Sequence, residues 1–83
     1  MAQERLGRRF VGEELLTRRV RAGLSRPAFA TQCANHGESV TPQHVARLED
    51  GPHQPREALL VVMADVLGCD INDLLSSDSV VAS

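Results

Sequence analysis

Three side chains between Thr41 and Gly51 carry hydrogen-bonding groups suited to planar partners. Gln43, His44 and Arg47 lie at helical spacing, so a helix here would present them on one side. A guanidinium can bond two acceptors on the edge of a guanine at once, and a carboxamide can pair in the same way with adenine. The pattern indicates a surface that recognises base edges rather than a site that performs a reaction.

The other reactive side chains do not form a recognisable reaction centre. No Ser/His/Asp or Cys/His set, carboxylate pair or glycine-rich phosphate loop has a suitable spacing, so we expect no enzymatic activity and no cofactor. Cys33 and His36 form a C-x-x-H pair, but no second close pair follows it, which argues against zinc. We expect Cys33 and Cys69 to be reduced and largely buried.

The charge of the chain changes sign along its length. The net charge of all 83 residues is −2, which by itself does not favour a polyanionic partner. Seven arginines and three glutamates give residues 1–30 a charge of +4, whereas two arginines and eight acids give residues 31–83 a charge of −6. This asymmetry fits a side that faces nucleic acid, and it equally fits solvated faces that attract one another.

Length and composition indicate one small domain. With 42% apolar residues and only Phe10 and Phe29 as aromatic residues, the core must consist mainly of Leu, Val, Ala and Met. No apolar run reaches the roughly 20 residues that a membrane span requires, and the N-terminal segment does not resemble a secretory signal. We therefore expect a cytoplasmic protein without a membrane partner.

Capping residues and helix-ending glycines divide the chain into five predicted helices. Ser25 and Thr41 suit helix caps, Pro42 suits a first helical position, and Gly37, Gly51 and Gly68 suit helix ends. No alternation typical of strands is present. The prediction is an all-α, compact five-helix domain over residues 13–75, preceded by an Arg-rich N-terminal arm (1–12) and followed by a flexible tail (76–83). The predicted helices span 13–22, 26–35, 42–50, 55–67 and 71–75.

Apolar spacing predicts which side of each helix packs inward. The expected core residues are Leu15, Leu16 and Val20, then Phe29, Ala30 and Cys33, then Val45 and Leu48, then Leu60, Met63, Ala64 and Leu67.

Three valines, Val61, Val62 and Val66, extend the apolar surface of the fourth helix beyond one stripe. Such a surface has to be covered. The cover is either the N-terminal arm or the Val80–Val81 tail, or it is a second copy of the chain in a homodimer. We favour the homodimer, because operator binding commonly requires two-fold symmetry.

The segment from Ser25 to Gly51 reads as two helices joined by a turn. In such a unit one helix lies across the DNA backbone and the second enters the major groove, which is about 12 Å wide. The motifs R-x-x-x-G-L-S at 19–25, Phe29-Ala30, V-A-R-L-E-D-G at 45–51 and I-N-D-L-L at 71–75 follow in order. With them the chain resembles the bacterial Cro and phage-repressor-like (XRE-type) helix-turn-helix regulators from about Leu15 to Leu75.

That resemblance implies a repressor-like domain that binds double-stranded DNA. It also implies that Arg19 pairs with Glu49 and thereby ties the first helix to the third. This family usually joins its second and third helices by a tight turn, and here residues 34–39 make the link longer. The longer link bears directly on the docking angle of the third helix.

Within this framework each polar residue of the unit has an expected role. Arg47 would read guanine, Gln43 would read adenine, and His44 would contact a base or a phosphate. Alternatively, Arg47 pairs with Glu49 or Asp50, and Gln43 is an ordinary surface residue. Phosphate contacts are expected from helix N-termini and a nearby cation. The predicted DNA-binding residues are therefore Ser25, Arg26, Thr41, Gln43, His44 and Arg47.

The sequence thus predicts a sequence-specific DNA-binding transcriptional regulator that inserts helix 42–50 into the major groove as a homodimer. The alternative is a protein-interaction module of the same fold, an antitoxin-like or regulatory partner whose valine surface carries the function. Binding to duplex that weakens steeply with salt distinguishes the first from the second.

Overall fold

Helices account for nearly all of the regular structure. The computed structural model describes residues 9–51 and 53–76. In these ranges the chain forms α1 (Gly12–Arg21), α2 (Arg26–Asn35), α3 (Pro42–Asp50) and α4 (Glu57–Leu67), followed by a 3-10 segment, Ile71–Leu74. The all-helical prediction is confirmed for this part of the chain, which contains four α-helices and no strand. None of these helices has the length and apolarity needed to cross a bilayer.

The predicted fifth helix is a single 3-10 turn. Asp70 caps it by accepting the Asn72 N–H at 3.0 Å, and the Asp73 carboxylate accepts the Asp70 N–H at 3.0 Å. Short-range bonds from Asp73 to Asp70 and from Leu75 to Asn72 tighten the turn. The short helix predicted over 71–75 is therefore present as a 3-10 helix over Ile71–Leu74, and the count of five α-helices is not confirmed. Leu75 is extended, in an antiparallel bridge with Phe10.

The N-terminal segment from residue 9 to residue 11 is fastened across the end of the helical domain. The Val11 N–H donates to the Leu74 carbonyl at 2.8 Å. The Phe10 N–H donates to the side-chain oxygen of Gln54 at 3.0 Å, so the loop before α4 is held as well. In that loop Arg56 stays extended as the N-cap, and α4 starts two residues later than predicted. Residues 1–8 of the predicted arm and 77–83 of the predicted tail lie outside the described residues.

The core lies between the four helices and the 3-10 turn. Its members include all five expected positions of α2 and α3, together with three residues that apolar spacing did not assign, Phe10, Leu59 and Leu74. The buried apolar residues are Phe10, Leu15, Phe29, Ala30, Cys33, Val45, Leu48, Leu59, Met63, Ala64 and Leu74.

Two predicted inner faces need correction. Val20 is 60% exposed, because the buried side of α1 is centred on Leu15 and Arg19, which lie one turn apart. In α4, Leu59 is buried, whereas Leu60 and Leu67 are half-buried. Because α4 is apolar on several sides, its inner face is selected by its packing against α2 and the 3-10 turn.

The link between α2 and α3 begins with a tight reversal and ends at Thr41, whose backbone is extended. Gly37 adopts a φ of +98°, a left-handed conformation that costs glycine little. The Gly37 N–H bonds to the Ala34 carbonyl, and the Glu38 N–H bonds to the Cys33 carbonyl, both at 3.0 Å. This Schellman arrangement ends α2 at the glycine, as predicted.

Candidate functional site

The third helix has one buried side and one exposed polar side, and we call the exposed side, which carries Gln43, His44 and Arg47, its polar front. Val45 and Leu48 are fully buried, and they hold α3 against the rest of the domain. Gln43, His44 and Arg47 are all exposed. The spacing of these three residues places them on one side of the helix, opposite the core. Helix α3 therefore displays an amide, an imidazole and a guanidinium on a single exposed surface.

Two hydroxyl caps stand at the starts of α2 and α3. The Ser25 hydroxyl accepts the Ala28 N–H at 3.2 Å, and the Thr41 hydroxyl accepts the His44 N–H at 3.0 Å. Both cap residues are exposed. Each hydroxyl keeps its own hydrogen to donate, and the positive end of a helix dipole lies behind it. The caps predicted from sequence are therefore confirmed, and their location suits an anionic ligand.

A buried carboxylate joins three helices. Glu49 of α3 bonds Arg19 of α1 through two contacts, Nε to Oε2 at 2.5 Å and Nη2 to Oε1 at 3.2 Å. The side chains are only 2% and 9% exposed, respectively. Arg19 also donates to the Leu24 carbonyl at 2.7 Å. The pair implied by the family resemblance is present, and it connects the first helix to the end of the third.

The same carboxylate holds Arg26, which sequence reasoning had assigned only to phosphate. The Arg26 Nε lies 2.9 Å from Glu49 Oε1, while the Arg26 side chain is 46% exposed. Within the described residues its two terminal nitrogens have no partner. Arg19, Glu49 and Arg26 together carry one positive charge, and Arg26 provides its exposed end.

Arg47 does not adopt the alternative that the sequence left open. The described part of the chain provides it with no ion pair, either to Glu49 or to Asp50. Its carbonyl accepts the Gly51 N–H at 3.0 Å. Beside Gly51 lies the exposed imidazole of His53, which was not among the predicted DNA-binding residues. The one sequence feature that could have indicated His53 is its position two residues after Gly51, the glycine that ends α3.

A surface hollow lies at the beginning of α3. It is lined by Ser39, Val40, Thr41 and His44, and its volume is about 290 Å³. The extended end of the α2–α3 link forms one of its walls. The long link thus forms part of the surface next to the polar front of α3.

The two cysteines are not joined, and the contacts of His36 are with other groups. Cys33 is buried and Cys69 is half-buried, and both are free thiols. Burial, with a smaller contribution from the Glu38 charge, raises the pKa of Cys33 to about 11. Burial is also the main cause of the raised pKa of Cys69. His36 instead contacts the Gln32 carbonyl at 2.9 Å and lies 3.7 Å from Asp65.

The three valines of α4 differ in exposure. Val61 is 46% exposed, whereas Val62 and Val66 are half-buried and pack against the core. The free apolar surface on this helix is therefore narrower than apolar spacing indicated. Val20 on α1 is the other large apolar side chain that the described residues expose widely.

Comparison with known proteins gives one match. A family model described as a helix-turn-helix domain matches residues 11–75, a range that begins just before α1 and ends just after the 3-10 turn. Neither the curated proteins nor the solved structures gave a significant match.

Proposed function

This chain belongs to the helix-turn-helix domain family, and on that premise we propose that it is a sequence-specific DNA-binding regulator of transcription. The observation that carries the proposal is the construction of α3. Its back is fully buried through Val45 and Leu48, so its polar front is held at a defined orientation. A rigidly held hydrogen-bonding surface suits sequence readout because base edges are recognised by geometry.

In this proposal α3 enters the major groove. Arg47 makes a bidentate contact with a guanine, and Gln43 makes a similar contact with an adenine. His44, next to the hollow at the start of the helix, contacts a base or a phosphate. The absence of an internal ion pair on Arg47 among the described residues supports its assignment, since its guanidinium does not have to break a bond before binding.

In this proposal, DNA phosphates are bound by residues that flank α3, namely Ser25, Arg26 and Thr41. The capped N-termini at Ser25 and Thr41 contribute hydroxyls and helix dipoles. Arg26 contributes a cation whose one side is fixed by Glu49. These contacts are independent of sequence, and they set the register of α3 on the duplex.

A homodimer completes the proposal, with Val61, Val62 and Val66 at the two-fold axis. Two copies related by two-fold symmetry would read an inverted repeat. The second candidate is a protein-interaction module of the same fold. The exposed Val20 and Val61 favour it, because they offer apolar anchors away from the polar front of α3.

Selection of bound sites from a random duplex pool tests the proposal. We expect enrichment of one sequence, in inverted repeats for a dimer, and binding that weakens steeply with salt. Arg47→Ala should relax the enriched preference at one base pair. The matched control is Arg18→Ala, which removes the same charge from α1, where Arg18 pairs with Glu14. If the wild-type protein binds no duplex even at low salt, the interaction module becomes the better description.

A further inference from the structure

The direction of α3 depends on how its two ends are held. Its C-terminal end is fixed by the buried Glu49, which is bonded to Arg19 and Arg26. The main contacts of α3 are with α1 and α2. Its N-terminal end follows directly on the link from α2, so the path of that link contributes to the direction of the helix axis.

The link is attached to α4 rather than free in solvent. Glu38 accepts a hydrogen bond from the Arg56 guanidinium at 2.8 Å. The Glu38 side chain is 20% exposed, and Arg56 is 74% exposed. Val40, two residues further on, packs against the core. Glu38 thus fixes the path of the chain three residues before the cap of α3.

A weaker second contact lies at the other end of α4. The His36 Nε2 is 3.7 Å from a carboxylate oxygen of Asp65, two residues before α4 ends. Arg56 is the N-cap of the same helix. The link therefore runs along α4, with Glu38 near the start of that helix and His36 near its end.

We infer that Glu38 and Arg56 are positioning residues, which hold the N-terminal end of α3 at the angle required for selective base readout. The tight turn usual in similar proteins would set this angle covalently. Here the longer link requires a side-chain contact to do so. The consequence for DNA rests on the proposed function, whereas the consequence for helix orientation does not.

For the substitution Glu38→Gln, loss of positioning and loss of charge predict different effects on DNA binding. Glu38→Gln removes a negative charge near the proposed DNA surface, so charge alone would tighten binding to every duplex. Loss of positioning would instead weaken binding to the selected site relative to random duplex. The ratio of the two affinities therefore separates positioning from charge.

The first measurement uses the free protein and needs no DNA. Residual dipolar couplings give the angle between α3 and α4 in the wild type, in Glu38→Gln and in the matched control Glu14→Gln. Glu14 also forms an ion pair with an arginine, Arg18 at 3.5 Å, but within α1. We expect Glu38→Gln to change the angle by more than Glu14→Gln does. An equal angle in all three proteins would overturn the inference while leaving DNA binding intact.

The second measurement is the affinity for the selected site divided by the affinity for random duplex. We expect Glu38→Gln to lower this ratio about two- to fivefold, the range for a partly exposed ion pair, and Glu14→Gln to preserve it. The swap Glu38→Arg with Arg56→Glu should restore most of the ratio, and a glutamate at the N-cap suits the helix dipole.

The outcomes separate this inference from the proposed function. A changed angle with an unchanged ratio overturns the role in specificity. A swap that lowers the ratio further than Glu38→Gln also overturns it. If the wild type selects no sequence, the proposed function fails together with that role, and the angle measurement still decides whether the pair positions α3. Circular dichroism melting of each variant confirms that it is folded.

Discussion

Gly12 at the start of α1 lies directly against the Leu48 carbonyl at the end of α3. A Cβ on Gly12 would be 2.2 Å from that oxygen and 2.7 Å from the Glu49 carbonyl oxygen. Both neighbours are backbone atoms, which cannot rotate away. The absence of a side chain at position 12 therefore allows α1 to close onto α3 and brings Arg19 within reach of Glu49.

Gly12→Ala should destabilise the fold by about 1–3 kcal/mol, the usual effect of overpacking. For a domain of this size that corresponds to a fall of about 4–8 °C in Tm per kcal/mol. The control is Gly51→Ala, since a Cβ there would meet the His53 ring at 3.4 Å and the Arg47 carbonyl oxygen at 3.6 Å, which are ordinary contact distances or close to them. Thermal unfolding of both variants measures the difference in Tm. Equal melting temperatures would mean that α1 and α3 do not approach so closely.

Removal of Arg19 should affect stability far more than removal of Arg26. Arg19→Ala leaves a nearly buried carboxylate with one remaining partner, and we expect a loss of about 3 kcal/mol. Arg26 is half-exposed, so Arg26→Ala should change stability by less than about 1 kcal/mol. Urea unfolding measures both values. Similar losses for the two variants would show that Glu49 does not depend on Arg19 for compensation.

Stability should fall at alkaline pH because of the cysteines. The folded state raises the pKa of Cys33 from 9.0 to about 11. The unfolded state therefore loses its proton first, and the free energy of unfolding decreases as pH rises from about 9 to about 11. The chain contains no Lys or Tyr, so Cys33 and Cys69 are the only side chains that titrate in this window.

Comparison of slopes isolates the contribution of Cys33. We expect Cys33→Ala to flatten the dependence of unfolding free energy on pH, and removal of both cysteines to flatten it further. Urea unfolding at a series of pH values between 9 and 11 provides the slopes. A wild-type slope retained in Cys33→Ala would indicate that this thiol is not held protonated in the core.

Arg47 and Arg26 should differ in the kind of DNA binding they support. Arg47→Ala should weaken binding to the selected site by about 1–3 kcal/mol and relax the preference at one base pair. Arg26→Ala should weaken binding to all sequences alike and lower the salt slope by about one. Affinities for selected and random duplex at several salt concentrations test both expectations. Equal losses on both duplexes for Arg47→Ala would make Arg47 a phosphate anchor.

Local chemistry was readable from the sequence because it acts between neighbouring residues. A hydroxyl at Ser25 or Thr41 caps a helix by bonding an N–H three residues ahead, and Gly37 ends one by adopting a positive φ. Periodicity likewise predicted that Val45 and Leu48 face the core. The polar front of α3 follows from that orientation, so the predicted recognition residues share one exposed surface.

Tertiary structure decided what depends on distant partners. Leu59 is buried in preference to Leu60 because α4, apolar on several sides, packs against α2 and the 3-10 turn through one of them. The last helical turn stops before Leu75, which pairs with Phe10, 65 residues earlier in the chain. Arg26 bonds Glu49, and Glu38 bonds Arg56, across separations of 23 and 18 residues. Such contacts form only when the folded path of the backbone brings the side chains together, and no local pattern encodes that path.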